Sequence, residues 1–459
     1  MSRIQPARRV AFDVLNAVQE SDAYANLLLP VRIRDAKLDG ADAGFATEIV
    51  YGTLRMQGYY DRILELVTKR PITKLDAPVR SVLRMSTHQL LGMRVAPHAV
   101  LSEAVELVKK ARVGSAAGFV NGVLRTISRS DADTWRERAL EGLSGDARLA
   151  VEHAHPTWVV GALRASLEQE GAGDELEALL AADNVAPRVA FAALPGFADA
   201  AELAAGETFE PGHLSPVALA STGGDPARIA EVAAGRVRVQ DEGSQLAALA
   251  LTRVRPVAAG ESWLDVCAGP GGKAALLAAE AHLGGAHLTA NEVVPARAGL
   301  VRNALAVFGD GPDAPVVVEG DGRRFGDEPA RFDRILLDAP CTGLGALRRR
   351  PEARWRKSAA DLADLVALQA QLIDAAVAAL APGGVLAYVT CSPHPDETHA
   401  QVEAALERHP QLRRIDTPEV LSRVAIAPLQ LAPRESAQLW PHRNGTDAMF
   451  IQLLTTVEA

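Results

Sequence analysis

Two architectures are predicted within one chain: an all-α bundle, then an α/β domain built on a doubly wound, mostly parallel sheet. Apolar residues in the first third recur at helical spacing. From about Arg236, short apolar runs alternate with amphipathic stretches, the pattern of strands separated by crossover helices. The first of those runs leads into a glycine turn, Gly269-Pro270-Gly271-Gly272, at the strand end where open α/β sheets bind ligands. The boundaries read as 1-133 for the bundle, 134-235 for a small α/β connecting region and 236-457 for the sheet domain.

In the bundle, Ala7, Val10, Ala11, Val14, Leu15 and Val18 form one buried face. Similar stripes recur at 49–54, 79–91 and 100–108, with breaks at Pro71, Pro97 and Gly114. The connecting region reads as one or two helices over 158–180 and a strand at 188–192. Beyond it the expected strands are 262–266, 286–290, 316–318, 334–337 and 385–389, and the expected helices 272–281, 296–308 and 360–380.

The composition excludes several classes. With 459 residues, 48% hydrophobic and 23% charged, the chain is an ordinary globular protein of more than one domain. Three cysteines, Cys267, Cys341 and Cys391, are too few and too scattered for a disulfide scaffold or a CxxC zinc site, and a reducing cytoplasmic compartment is expected. The 11 histidines lack ligand spacing, so no metal is expected. The N-terminus lacks the apolar core of a signal peptide. The nearest candidate for a membrane span, 375–389, is cut by Pro382-Gly383-Gly384, so none is expected; a monomer is the default.

The net charge of −9 does not suggest a nucleic-acid binder, but its distribution does. Residues 1–130 hold 19 Lys/Arg and 12 Asp/Glu. A second basic cluster comprises Arg348, Arg349, Arg350, Arg354, Arg356 and Lys357, interrupted only by Glu352. Such local patches make phosphate contacts, and the five arginines are candidate RNA-binding residues.

The run Asp265-Val266-Cys267-Ala268-Gly269-Pro270-Gly271-Gly272-Lys273 is a strand, a glycine turn and a helix start. It lacks the glycine and Ser/Thr positions of a phosphate-binding P-loop and is no clean GxGxxG. Acids then follow the next three strands, at Glu292, Asp321 and Asp338. A glycine loop with acids for ribose hydroxyls makes a nucleoside pocket, and without a phosphate cradle S-adenosylmethionine fits better than a dinucleotide.

Two thiols fall on the same edge: Cys341 just after the fourth strand, in Asp338-Ala339-Pro340-Cys341-Thr342-Gly343, and Cys391 at a later strand end, in Thr390-Cys391-Ser392. A methyl-donor domain has a use for a thiol. Carbon 5 of cytosine is a poor nucleophile, but thiolate addition at carbon 6 turns the ring into an enamine whose carbon 5 can attack a methyl group. A carboxyl at the N3 edge favours the addition, and Asp338 is the nearest candidate. Single-stranded or loop RNA lowers the cost of unstacking the base.

These motifs resemble the RsmB/Sun (Fmu) family of 16S rRNA cytosine-carbon-5 methyltransferases, with a NOL1/NOP2/Sun-type catalytic domain of class I, Rossmann-like fold. The resemblance rests on residues 265–273, on Asp338-Ala339-Pro340-Cys341-Thr342-Gly343, Arg348-Arg349-Arg350-Pro351 and Thr390-Cys391-Ser392, on 239–245 and on Gly445-Thr446-Asp447. The first 130 residues resemble NusB, a helical RNA-binding module, at 102–107 and 118–125. The resemblance implies that Cys391 is the nucleophile and that Cys341 assists product release. It implies that S-adenosylmethionine is held by Cys267, Ala268, Gly269, Pro270, Gly271, Gly272 and Lys273 with Glu292, Asp321 and Asp338, and that the partner is RNA, with 16S rRNA as substrate. This chain departs from the family pattern at Gly269, where Ala is usual, at Glu292, where Asp is common, at Pro393 and Thr398 after Cys391, and at Ala448-Met449, which replaces a Gly-aromatic pair. Methylation of tRNA by the same chemistry and a non-catalytic RNA-binding factor are the alternatives.

Overall fold

In a computed structural model, residues 4–21, 23–327 and 329–457 are described. The chain divides into two compact units: Met1–Arg164 with Asp174–Ala186 and Leu347–Arg356, and Ala165–Gly173 with Pro187–Ala346 and Lys357–Ala459.

The first unit is helical. Pro6–Glu20 starts on a proline, whose missing N–H costs nothing at a helix N-terminus, and buries all six positions of the expected stripe. The central helix Ala77–Leu91 is buried on most sides, so its polar residues need internal partners. Arg84 donates to both carboxylate oxygens of Asp61 at 2.6 and 2.7 Å, and Gln89 accepts from Arg8. Part of the basic excess read from the sequence is therefore internal: Arg8, Arg55 and Arg84 are buried.

The segment Leu347–Arg356 is a component of this helical unit. Its Trp355 ring occupies the space over Gly58, where a Cβ would lie 2.5 Å from the indole. Arg354 is fully buried; its guanidinium donates to the carbonyls of Arg55 and Ala154, both at 3.1 Å, and to Asn184 Oδ1 at 2.9 Å. Arg354 therefore cannot reach an RNA phosphate, which corrects its reading as a phosphate contact. Arg356 is turned inward as well, donating to the carbonyls of Val18 and Ala23. Of the five candidates, Arg348 is also buried and Arg350 is exposed.

The second unit carries two sheets. The smaller is antiparallel and comprises β1 (Ala190–Ala193), β2 (Phe209–Pro211), β3 (Ala218–Ser221) and β4 (Val237–Val239), in the order β2-β3-β1-β4. The region expected as a separate connector, 134–235, is thus divided: its part up to Arg164, with Asp174–Ala186, belongs to the helical unit and the remainder to the sheet unit. Polar bonds explain why 165–173 goes with the sheet unit: Glu170 accepts from Trp440 Nε1 at 3.1 Å and from Arg443 at 2.7 Å.

The larger sheet contains β5 (Ser262–Asp265), β6 (His287–Glu292), β7 (Val316–Glu319), β8 (Phe332–Asp338), β9 (Leu380–Thr390), β10 (Leu412–Ile415), β11 (Ala437–Gln438) and β12 (Phe450–Thr456). Its order is β10-β12-β9-β8-β5-β6-β7, with β11 paired to β12. The strands from β5 to β9 pair in parallel, and β12 is antiparallel to β9 and β10. The expected strands 262–266 and 316–318 fall within one residue of β5 and β7, those at 286–290 and 188–192 within two residues of β6 and β1, and β8 and β9 are longer than expected. After β5 the chain winds outward to β7, then returns to β8 on the other side. The gap between β5 and β8 is the topological switch point, where side chains at the carboxyl ends of strands face a crevice.

The helix Ala359–Ala379 opens with a capping box between Ser358 and Asp361. By length and hydropathy it is a candidate membrane span, which the sequence reading did not identify. Here its Leu372, Ile373, Ala376 and Val377 join the buried cluster against β8 and β9. The Pro382-Gly383-Gly384 turn appears as an irregularity inside β9, with Gly383 at φ +68°.

Candidate active site

The carboxyl ends of β5, β6, β8 and β9 bring together residues far apart in sequence. β5 ends at Asp265, which is buried, with Oδ2 lacking a hydrogen-bond partner among the described residues. Burial, reinforced by repulsion from Asp338, pushes its pKa up to about 8. The glycine turn follows, with Gly271 at φ +103°, a left-handed conformation that also leaves no room for a side chain: a Cβ would lie 2.5 Å from that of Ala304.

Lys273 starts the next helix and points back to β8. Its Nζ lies 2.9 Å from Asp338 Oδ2 and 3.4 Å from Ser244 Oγ. Burial alone would lower the Lys273 pKa, but Asp338 outweighs it and holds the ammonium above its ordinary value. Lys273 was expected as a donor-binding residue; the structure pairs it with the candidate catalytic acid, and it interacts electrostatically with Cys391.

The Sγ atoms of Cys341 and Cys391 are 3.5 Å apart, and all three cysteines are thiols. A buried polar network joins their two loops. Glu397, fully buried, accepts from the Thr342 amide at 2.8 Å and from Gln369 Nε2 at 3.1 Å, while Thr342 Oγ1 and Ser392 Oγ are 2.9 Å apart. Gly345 completes the junction. It donates to the Cys391 carbonyl at 2.8 Å and accepts from the Ala448 amide at 2.9 Å, and a Cβ on it would lie 2.0 Å from the Ala448 carbonyl oxygen. The hydrogen bond to Cys391, then burial, holds the Cys341 thiol well above its ordinary pKa. Sequence reasoning missed Glu397, because nothing local distinguishes it from a surface turn acid.

The acids beyond β6 and β7 take separate places. Glu292 is nearly buried and accepts from the amides of Gly269 at 3.1 Å and Val294 at 2.9 Å. Two of the departures noted above meet here: a Cβ on residue 269 would lie 2.1 Å from Glu292 Oε2. The longer acid occupies the space that glycine leaves open. Asp321 stands at the exposed rim, hydrogen-bonded to Arg323, which holds its carboxyl below the usual range. Cys267 lies away from the other thiols, and burial pushes its pKa far up.

This arrangement suits a nucleoside-type donor. The glycine backbone is packed against an acid, and among the described residues the buried Asp265 carboxyl leaves Oδ2 without a partner.

The 16S rRNA methyltransferase RsmB/F model matches residues 253–455, and the NusB family model matches residues 5–129. Ribosomal RNA small subunit methyltransferase B of Pseudomonas putida is 32% identical over 422 residues, which covers 89% of this chain and 91% of that protein. The chain belongs to the RsmB/F methyltransferase family. It is therefore an S-adenosylmethionine-dependent RNA methyltransferase with an N-terminal NusB-like domain. The Mycobacterium tuberculosis protein Rv1407, named as a methyltransferase without a stated substrate, is 46% identical over 454 residues, covering 98% of this chain and 96% of that one. Among solved structures, PH0851 is similar over 99% of this chain and 100% of its own, with a TM-score of 0.82 at 20% identity. NSun6 from Pyrococcus horikoshii, solved with SFG, covers 65% of this chain and 98% of its own, with a TM-score of 0.53 at 16% identity. At these identities the structural likenesses establish the fold.

Proposed function

We propose that this chain methylates carbon 5 of a cytosine in 16S rRNA through a covalent adduct with Cys391. The observation that carries the reading is the pair of thiols 3.5 Å apart, beside the Lys273–Asp338 pair. The rRNA substrate follows the name of the Pseudomonas relative and the NusB-like domain.

S-adenosylmethionine supplies an electrophilic methyl group. Residues 267–273, Glu292 and Asp321 would hold it, with Asp265 facing the same crevice. Cys391 Sγ, as thiolate, bonds to carbon 6 of the cytosine, and the ring electrons move toward N3. Asp338 meets the N3 edge, and the adjacent Lys273 ammonium is the reservoir for the proton required there. Carbon 5 takes the methyl group and must then lose its proton. That proton leaves to water, with Cys341 the neighbouring group placed to assist the release; the C–H electron pair re-forms the carbon 5–carbon 6 double bond as the carbon 6–Sγ bond breaks, N3 returns its proton to the Lys273–Asp338 pair, and the Cys391 thiolate is restored.

The test is transfer of labelled methyl from S-adenosylmethionine to unmethylated 16S rRNA and to bulk tRNA, with nucleoside analysis. Label is expected in 5-methylcytidine of the rRNA. Cys391→Ala should abolish it, and Cys341→Ala should accumulate a covalent protein–RNA adduct. A fully active Cys391→Ala ends the reading, and label confined to tRNA replaces the substrate.

A further inference from the structure

The helical unit contains a second site-like feature that methyl transfer does not use. A cavity of about 300 Å³ is lined by Glu48, Gly52, Arg55, Tyr59, Tyr60 and His88, with Asn184 among the other walls. Its construction starts in the helix Gly40–Arg55. Glu48, Gly52 and Arg55 share one helix face at i, i+4 and i+7, and the middle position has no side chain. The His88 ring occupies that space: a Cβ on Gly52 would lie 2.1 Å from its Nε2, and one on Gly92 would lie 2.7 Å from its Nδ1. His88 is held in place by Tyr60 OH, 2.8 Å from Nδ1, and Glu48 lies 3.4 Å from Nε2. Arg354 supports the opposite wall by donating to the Arg55 carbonyl and to Asn184 Oδ1.

The Arg55 guanidinium is the unusual element. Arg55 is only 8% exposed, yet among the described residues its guanidinium makes no hydrogen bond and no ion pair, and Nε is a buried donor without a partner. Its charge is felt by Glu48, on the same helix face, and by Tyr51, whose ring centroid lies 5.6 Å from the guanidinium carbon. A buried cation keeps such a position at a cost unless acceptors complete it. The cavity beside it is large enough for one nucleotide, and the half-buried Tyr59 ring offers a stacking wall.

We propose that this cavity takes one unstacked guanine nucleotide, with Arg55 on the O6/N7 edge, Glu48 on the N1–H and amino edge, and Tyr59 against the base. Guanine is the base that presents two acceptors to an arginine fork on one edge and two donors to a carboxylate on another. The ligand can be a free nucleotide or an exposed guanine of RNA. The inference is independent of the cytosine reading.

Equilibrium dialysis of the full chain, with S-adenosylhomocysteine filling the donor pocket, tests it using labelled guanosine monophosphate, adenosine monophosphate and inorganic phosphate as probes. One guanosine monophosphate per chain is expected, bound about tenfold or more tighter than the adenine nucleotide. Arg55→Met and Tyr59→Leu should each weaken it about tenfold at unchanged melting temperature, and Cys391→Ala should leave it intact. Should Arg55→Met not fold, the exposed Glu48→Gln carries the same expectation. Displacement by an oligoribonucleotide with unpaired guanines supports the site with RNA as source, and guanosine monophosphate binding without such displacement supports it with the free nucleotide as source. Equal binding of both nucleotides, displacement by phosphate at equal concentration, binding that survives the substitutions, or no binding at millimolar concentration overturns the proposal.

Discussion

Replacing Arg354 by Met separates a structural role from an RNA contact. The substitution keeps the length and apolar volume of the side chain and removes its charge and donors. The Arg55 and Ala154 carbonyls and Asn184 Oδ1, at 3.1, 3.1 and 2.9 Å, lose a charged donor. Bonds to a charged group contribute about 1.5–3 kcal/mol each, or roughly 7 kcal/mol for three. The three share one guanidinium whose burial pulls its pKa down to about 10, so their contributions do not add in full. The expected net loss is therefore about 4 kcal/mol, within the range for breaking a buried charged contact. For a unit of this size that is a fall of roughly 8–16 °C in melting temperature. Differential scanning calorimetry of the full chain reads it directly. RNA affinity measured against salt gives the complementary result: a phosphate contact would reduce the slope by about one, whereas a buried structural arginine leaves it unchanged. A variant that melts within 2 °C of the parent and shows the reduced slope would refute the reasoning.

Two further outcomes follow from the catalytic edge. Gly269→Ala places a methyl group against Glu292 Oε2 and should weaken S-adenosylmethionine binding about tenfold by calorimetry. Adding Glu292→Asp should restore it, and equal affinities for single and double variants would disprove the coupling. Asp265, with its pKa pushed up to about 8, keeps its proton in the folded state while the unfolded chain releases it near pH 4. Its contribution to stability is therefore fully present below about pH 4 and is lost as pH rises toward 8, by up to about 1.4 kcal/mol per pH unit. Asp265→Asn removes that loss, so urea unfolding without donor should show its advantage over the parent growing from pH 5 to pH 8; parallel curves would contradict the assignment.

The legible part of the fold was the part written in local pattern. The helix-period stripe at 7–18 and the short strands ending at Asp265, Glu292 and Asp338 were readable because burial on one face repeats at the period of the element. The glycine loop was readable because backbone at positive φ demands glycine at 271. The domain boundary was less legible. A ten-residue segment after Cys341 belongs to the helical unit, and its composition alone resembles a basic surface patch. An arginine run reads the same whether its guanidinium groups meet water, phosphate or buried carbonyls, and only the acceptors around Arg354 distinguish these.

The sequence by itself determined the class of this protein: the helical bundle, the doubly wound sheet, the order of glycine loop and acids, and the two thiol motifs. Those properties depend on periodicity and on a few residues close together along the chain. Tertiary structure alone decided how they combine. Cys341 meets Cys391 across 50 residues, Lys273 meets Asp338 across 65, and Glu397 joins both thiol loops. Among the described residues Arg55 was left without an acceptor beside an open cavity, and Glu292 took the space freed at Gly269. The physical reason is that charge pairing, desolvation and steric exclusion act over a few ångströms in space, and strand order rather than sequence distance sets which groups come within that range.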